Sequence, residues 1–205
     1  MLLWFGIVMA ALCMAREWSV AVFGVTYGLG FGGIAYRYRK KVKLFFERMN
    51  LDNYVGFFLL AVVISASEEV YCFLLGNEIA HPVIWVDLIL VCGMWSVWFG
   101  TWYFFVSKRY SFKEKEALMT AGFTGVLYEF VGTGKILGNP FGIFLAIPLA
   151  VVIYAALFVL PLQLVQFTGE NTGWTKYVVG VVFPYVMTIP VAVVLYAVLA
   201  LCGVL

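Results

Sequence analysis

The stretch Tyr177-Val-Val-Gly-Val-Val-Phe-Pro-Tyr-Val-Met-Thr-Ile-Pro-Val-Ala-Val-Val-Leu-Tyr-Ala-Val-Leu-Ala-Leu-Cys-Gly-Val-Leu205 contains no charged side chain. About 20 apolar residues suffice for a helix to cross the roughly 30 Å of hydrocarbon in a bilayer. The whole chain shares this character. Of its 205 residues, 64% are hydrophobic and only 12% are charged, with a mean hydropathy of +1.01. A soluble domain carries about a quarter charged residues because water must wet its surface. Half that complement fits a surface that faces lipid.

Comparable apolar runs cover residues 18–36, 54–75, 83–106 and 141–167. The run 117–131 is shorter, and reaches crossing length once Glu116 and Gly132 to Gly134 are added. The first run, Met1 to Ala15, has small residues (Cys13, Ala15) where a signal peptide would be cut, but no basic segment precedes it. It reads as a short first helix that turns at Arg16-Glu17 into the next. The expectation is an all-α, polytopic transmembrane helix bundle of about seven spans, or six if Met1 to Ala15 does not cross. It forms a single integral membrane domain over residues 1–205.

Basic residues orient the bundle. Arg37, Arg39, Lys40, Lys41, Lys43 and Arg48 crowd one connection, and Lys108, Arg109, Lys113 and Lys115 crowd another. Positive connections stay in the cytoplasm, which places the N-terminus there too. Connections 76–82 and 132–140, where Lys135 is the one fixed positive charge, then lie outside. Residues 42–50 mix apolar with basic side chains and read as an interfacial helix on the inner leaflet.

In lipid, apolar burial no longer drives helices together, so close backbone approach has to. Gly24, Gly28 and Gly32 recur every fourth residue, and Gly122 and Gly125 share a face further on. Packing within one chain is the favoured reading of these stripes, and a homo-oligomer seam the alternative. Pro148, Pro161, Pro184 and Pro190 interrupt the last two runs and should kink them or open polar pockets.

The informative residues are acids inside apolar runs: Glu68, Glu69, Asp87 and Glu129. Each costs about 2.5–3.5 kcal/mol at a helix centre on the insertion scale, so such groups face the bundle interior and mark function. Under the orientation above, all four fall near the outer face. Ser65, Glu68, Glu69 and Cys72 follow i, i+3, i+4, i+7 spacing, which makes one polar stripe. Adjacent carboxyls in a low dielectric cannot both ionise cheaply, and a protonated acid beside an ionised one serves general acid/base catalysis. The competing reading is interhelical glue, with the acids paired to Arg16, Lys135, His81 or backbone amides.

Other chemistries find little support. Cys13, Cys72, Cys92 and Cys202 lie in apolar stretches without the spacing of a zinc site. His81 is the only histidine and, followed by Pro82, stands where it would cap a helix. A metal site built from it and the carboxyls stays open as a minor alternative. No Walker loop, Gly-x-Ser-x-Gly or dinucleotide fingerprint occurs. No cofactor is expected, and no nucleic-acid partner.

Gly125-Val-Leu-Tyr-Glu129-Phe-Val-Gly132-Thr-Gly134, then Asn139-Pro140-Phe141-Gly142 and Ile147-Pro148-Leu149, resembles the Glu-x-x-Gly…Pro-Phe-Gly core of membrane carotenoid hydratases. Ser67-Glu68-Glu69-Val-Tyr-Cys-Phe resembles the Glu-Glu stretch of lycopene cyclase-like membrane proteins. Both resemblances imply acid protonation of a carbon–carbon double bond in a polyprenoid chain within the bilayer. CAAX-type membrane proteases share a Glu-Glu pair but need histidines on later helices, which this chain lacks.

Three functions follow. The first is an intramembrane enzyme acting on an isoprenoid or other lipid. Its catalytic candidates are Glu68, Glu69, Glu129 and Asp87, and its substrate-binding candidates Tyr71, Trp85, Tyr128 and Asn139. The aromatic rings would line a tunnel and stabilise a cation. The second is a structural or assembly subunit working with partner subunits, and the third a proton- or cation-coupled transporter or channel. Membrane lipids or a lipophilic small molecule are the expected partners in the first.

Overall fold

The computed structural model describes residues 1–77, 79–138 and 140–204, with the side chains of Pro140, Phe141 and Leu145 left aside. Asn139, expected to bind substrate, lies outside the described residues. Seven long helices organise the described chain: α1 Leu2–Met14, α2 Trp18–Arg48, α3 Asn53–Leu74, α4 Ile84–Arg109, α5 over 114–132, α6 Pro140–Val159 and α7 Thr175–Leu201. Four of these, α2, α3, α4 and α7, are long and apolar enough to cross a membrane. The all-helical class follows from the sequence as read, and these four helices are consistent with integral membrane residence.

Helix α6 lies at the centre, and glycines let its neighbours close on it. A β-carbon on Gly24, Gly28 or Gly32 of α2 would stand 2.6 Å from Leu149, 3.0 Å from Val152 or 2.9 Å from Ala156. From the other side, one on Gly122 of α5 would stand 2.5 Å from the Val151 carbonyl oxygen, and one on Gly125 would run into the Tyr154 ring. Both stripes are therefore used within the chain, as the intramolecular reading held. α1 joins the same centre through Phe5, Val8 and Met9, packed against Leu149 and Val152. Arg16, at φ 65°, makes the turn into α2. The middle of the bundle is aromatic, with Phe57, Trp98, Phe99, Trp102 and Phe158 fully buried.

Three segments widen from the α-helical to the π-helical turn: Gly24–Phe31 in α2, Trp102–Val106 in α4 and Leu127–Gly132 in α5. Nothing in the hydrophobic pattern foretells them. Such wide turns inside helices gather at functional sites.

Several boundaries differ from expectation. Residues 42–48 are no separate interfacial helix, because α2 runs unbroken to Arg48 and the chain turns only around Asn50, at φ 52°. The basic residues from Arg37 onward thus ride on a helical extension rather than a loop. At about 1.5 Å per residue, a helix of this length spans about 46 Å, well beyond the hydrocarbon. α6 stops at Val159, short of the expected 167, because Pro161 opens a separate 3-10 turn, Pro161–Leu164. A proline has no N–H to continue the ladder and clashes with the preceding turn. Pro148, Pro184 and Pro190, by contrast, sit inside continuous helices.

The segment after α6 folds back on the end of α4. Thr168 N–H donates to the Ser107 carbonyl at 3.0 Å, and Ser111 N–H to that of Asn171 at 3.0 Å. Gly169 lies directly on the Arg109–Tyr110 peptide, where no side chain fits.

Candidate functional site: buried carboxyls facing one another

Helix α3 turns Ser65, Glu68 and Cys72 inward together, as their spacing foretold, with Glu68 only 7% exposed. The Cys72 thiol donates to Glu68 Oε1 at 3.6 Å, one turn away. Ser65 takes no part in this contact: its hydroxyl donates to the Ala61 carbonyl at 2.8 Å. Glu69, partly buried, follows Glu68 on the chain and stands near Asp87 across the gap to α4. Asp87 stands in the first turn of α4 and is fully buried. Its Oδ1 accepts the His81 backbone N–H at 3.1 Å, while Oδ2 meets no donor among the described residues.

Glu129 comes from the π-helical end of α5 and acts electrostatically on Glu68 across the helix gap. Its Oε1 accepts the hydroxyl of Tyr154 at 2.7 Å. The tyrosine ring can reach this place because it lies on Gly125, one turn before Glu129 on the same face. Tyr27, in the π-helical part of α2, is 6% exposed, and its hydroxyl has no partner among the described residues. Carboxyls and phenols from α2 to α6 thus converge on one level of the bundle.

The remaining candidates divide. Tyr128 packs its ring against Trp95 (centroids 5.2 Å apart) and Tyr154 (5.9 Å), and shares a 3.0 Å hydrogen bond with Thr188. Tyr71 stands at the margin, its hydroxyl 2.8 Å from Thr26 Oγ1. A groove of about 440 Å³ lined by Ala66, Ser67, Val70, Tyr71 and Leu74 opens there on the outside of α3. The four carboxyls do not line this groove. Trp85 is 51% exposed on the bundle exterior. It does not belong with the acids, since it stands two residues before Asp87 and a helix turns successive side chains about 100° apart.

No ion pair involves Glu68, Glu69, Asp87 or Glu129 among the described residues. The expectation that the acids are glued to cations fails for Arg16, which is exposed. It holds in part for His81, whose backbone amide serves Asp87. The His81 ring is also engaged, its Nδ1 accepting the Val83 N–H at 3.1 Å. The described residues hold no group of three or more His, Cys, Asp or Glu placed to ligate a metal ion.

Tyr154, Tyr27 and the wide turns were not legible in the sequence. A tyrosine in an apolar run reads as an interfacial belt residue, and only the glycine spacing on α5 hinted that something large would fill that gap. No protein-family model, curated protein or solved structure matches the chain.

Proposed function

We propose that this chain is a seven-span integral membrane protein whose buried acids perform acid/base chemistry on an isoprenoid or other lipid. The N-terminus and the basic ends of α2 and α4 lie in the cytoplasm, and the acids near the outer face. The observation that carries the reading is Glu69 beside Glu68 and near Asp87, with no cation paired to any of the three among the described residues. Carboxyl groups in contact are stable in a low dielectric only when a proton bridges them. Asp87 Oδ2, which has no other donor among the described residues, is an acceptor such a proton can satisfy. A site of this kind stores a proton beside an ionised acceptor, which is the requirement of general acid/base catalysis.

The roles follow from position. The Glu68–Glu69 pair delivers the proton to one carbon of a double bond. Glu129, oriented by Tyr154, accepts a proton from the water that adds to the other carbon, or directly from the carbocation when no water adds. The net result is hydration or isomerisation, with no change of oxidation state overall. Tyr27, Tyr128 and Trp95 offer π faces to a cationic intermediate. The short motifs that resemble carotenoid hydratases and lycopene cyclase-like proteins point to the same substrate class.

The test is Glu69→Gln beside Glu69→Leu, assayed for conversion of extracted membrane lipids by mass spectrometry and for thermal stability in detergent. Gln keeps the shape but cannot move the proton. It should fold normally and lose conversion by about 10²–10⁴-fold, the usual worth of general acid/base catalysis. A stable Gln variant with full conversion refutes the catalytic role. Orientation is tested by cysteine labelling: Lys40→Cys and Lys113→Cys should react from the cytoplasm, Ala80→Cys and Ile136→Cys from outside. Labelling of Lys113→Cys and Ala80→Cys from one side overturns the topology.

A further inference from the structure

A second groove of about 440 Å³ lies at the opposite end of the bundle, between α5 and α7. Its walls change character along their length. At the mouth stand Lys115 and Glu116 of α5 with Tyr177 of α7, and one to two turns deeper come Met119, Phe123 and Val181. Met119 and Phe123 are each 39% exposed and Tyr177 42%, so the groove is open to the surroundings along its side.

The charges at its mouth are unevenly spent. Glu114 is taken by Arg39 at 2.5 Å, and Glu116 by Lys176 at 2.8 Å. Glu116 also accepts the Lys113 backbone N–H at 3.0 Å, and Lys176 gives another hydrogen bond to the Ser111 carbonyl. Both acids are thereby neutralised. Lys115, exposed at the mouth, makes no ion pair among the described residues. The mouth therefore carries surplus positive charge above an apolar, laterally open trough.

We propose that this groove binds one anionic phospholipid of the adjoining leaflet. Its phosphate sits against Lys115, and one acyl chain lies along Met119, Phe123 and Val181. The inference rests on membrane residence and is independent of the chemistry at the acid end. The polarity gradient selects the occupant. A partner helix in the same trough would meet an unneutralised ammonium at one end, whereas a phospholipid supplies a phosphate at that level and hydrocarbon below. Basic pockets between helices on the cytoplasmic side are the known form of such sites.

The experiment uses the full chain in neutral detergent. Retention of dioleoylphosphatidylglycerol against dioleoylphosphatidylcholine is read by native mass spectrometry. Wild type should retain the anionic lipid preferentially. Lys115→Gln should weaken that retention about fivefold, the worth of one lysine at an anionic surface. Lys108→Gln, outside the groove, should leave it unchanged. Met119→Trp fills the trough without touching charge and should also expel the lipid. Four results overturn the proposal: equal retention of both lipids, equal loss in Lys108→Gln and Lys115→Gln, full retention in Met119→Trp, or a copurifying protein that covers Lys115 in place of lipid.

Discussion

The two ends of the bundle treat their acids in opposite ways. At the basic end Glu114 and Glu116 each have a cation. Arg39 holds Glu114 at 2.5 Å while stacking over Tyr36 at 3.7 Å, and Gln163 adds a 3.3 Å hydrogen bond to the same carboxylate. Lys176 holds Glu116. At the other end Glu69 faces Glu68 and Asp87, and Glu129 faces a phenol. Both sets join different helices, so both contribute architecture. Only the first is arranged as architecture alone would have it, with opposite charges neutralised in place. The second gathers acids that have no cation among the described residues, the arrangement that the proposed chemistry reads as sharing protons.

The contrast makes its largest demand on stability. Arg39→Met removes a cation that is 16% exposed and leaves Glu114 with Gln163 as its remaining partner. Breaking a fully buried pair costs about 3–5 kcal/mol, and partial exposure brings the expected loss to roughly 2 kcal/mol. Glu68→Gln at the opposite end breaks no ion pair among the described residues and keeps an oxygen for the Cys72 thiol, so the melting temperature should hold or rise. Thermal unfolding of both variants in one detergent checks the pair. A Glu68→Gln variant that melts as low as Arg39→Met would mean that Glu68 has a cationic partner after all, and the two ends would cease to differ.

A smaller effect is expected at Tyr154. The phenylalanine variant keeps the ring on Gly125 and removes the hydroxyl that Glu129 accepts. The loss should be about 0.5–1.5 kcal/mol of stability. If Glu129 is a working base, conversion should fall as well, and its pH profile should shift. An unshifted profile with lower stability would make Tyr154 a purely structural contact.

The difference between the ends was partly visible in the residues themselves. Glu68, Glu69 and Cys72 share a helical stripe, and the alternation of strongly basic connections with ones that carry little positive charge suggested one level for the four acids. Such periodic facts survive folding because a helix face is set by local geometry. The pairing of Arg39 with Glu114 was not visible, since it joins residues 75 apart through the extension of α2 beyond Tyr36. Hydropathy ends the span at that tyrosine, and the backbone does not. Tyr154 was hidden for a related reason: its role depends on the absent side chain of Gly125 on another helix. Trp85 stands on the exterior because two residues along a helix turn its ring away from the face of Asp87.

The smallest expected effect is the coupling between Lys176 and Glu116, and its sign gives the finest test of the comparison. This pair lies near the surface, with side chains 7% and 30% exposed. Exposed ion pairs contribute about 0.2–1 kcal/mol. A double-mutant cycle of Lys176→Met and Glu116→Gln should therefore return a favourable coupling at the upper part of that range, since the lysine is nearly enclosed. Part of it should disappear in about 1 M salt, where the screening length falls to about 3 Å. The matching cycle of Glu69→Gln and Asp87→Asn probes acids that meet no cation. Each amide relieves the same crowding, so the double variant should gain less than the sum of the singles. Salt should barely alter that result, because Asp87 is fully buried and enclosed groups are little screened. Two favourable, salt-sensitive couplings would mean that the acid end is an ordinary charge network like the basic end, and its claim to chemistry would lapse.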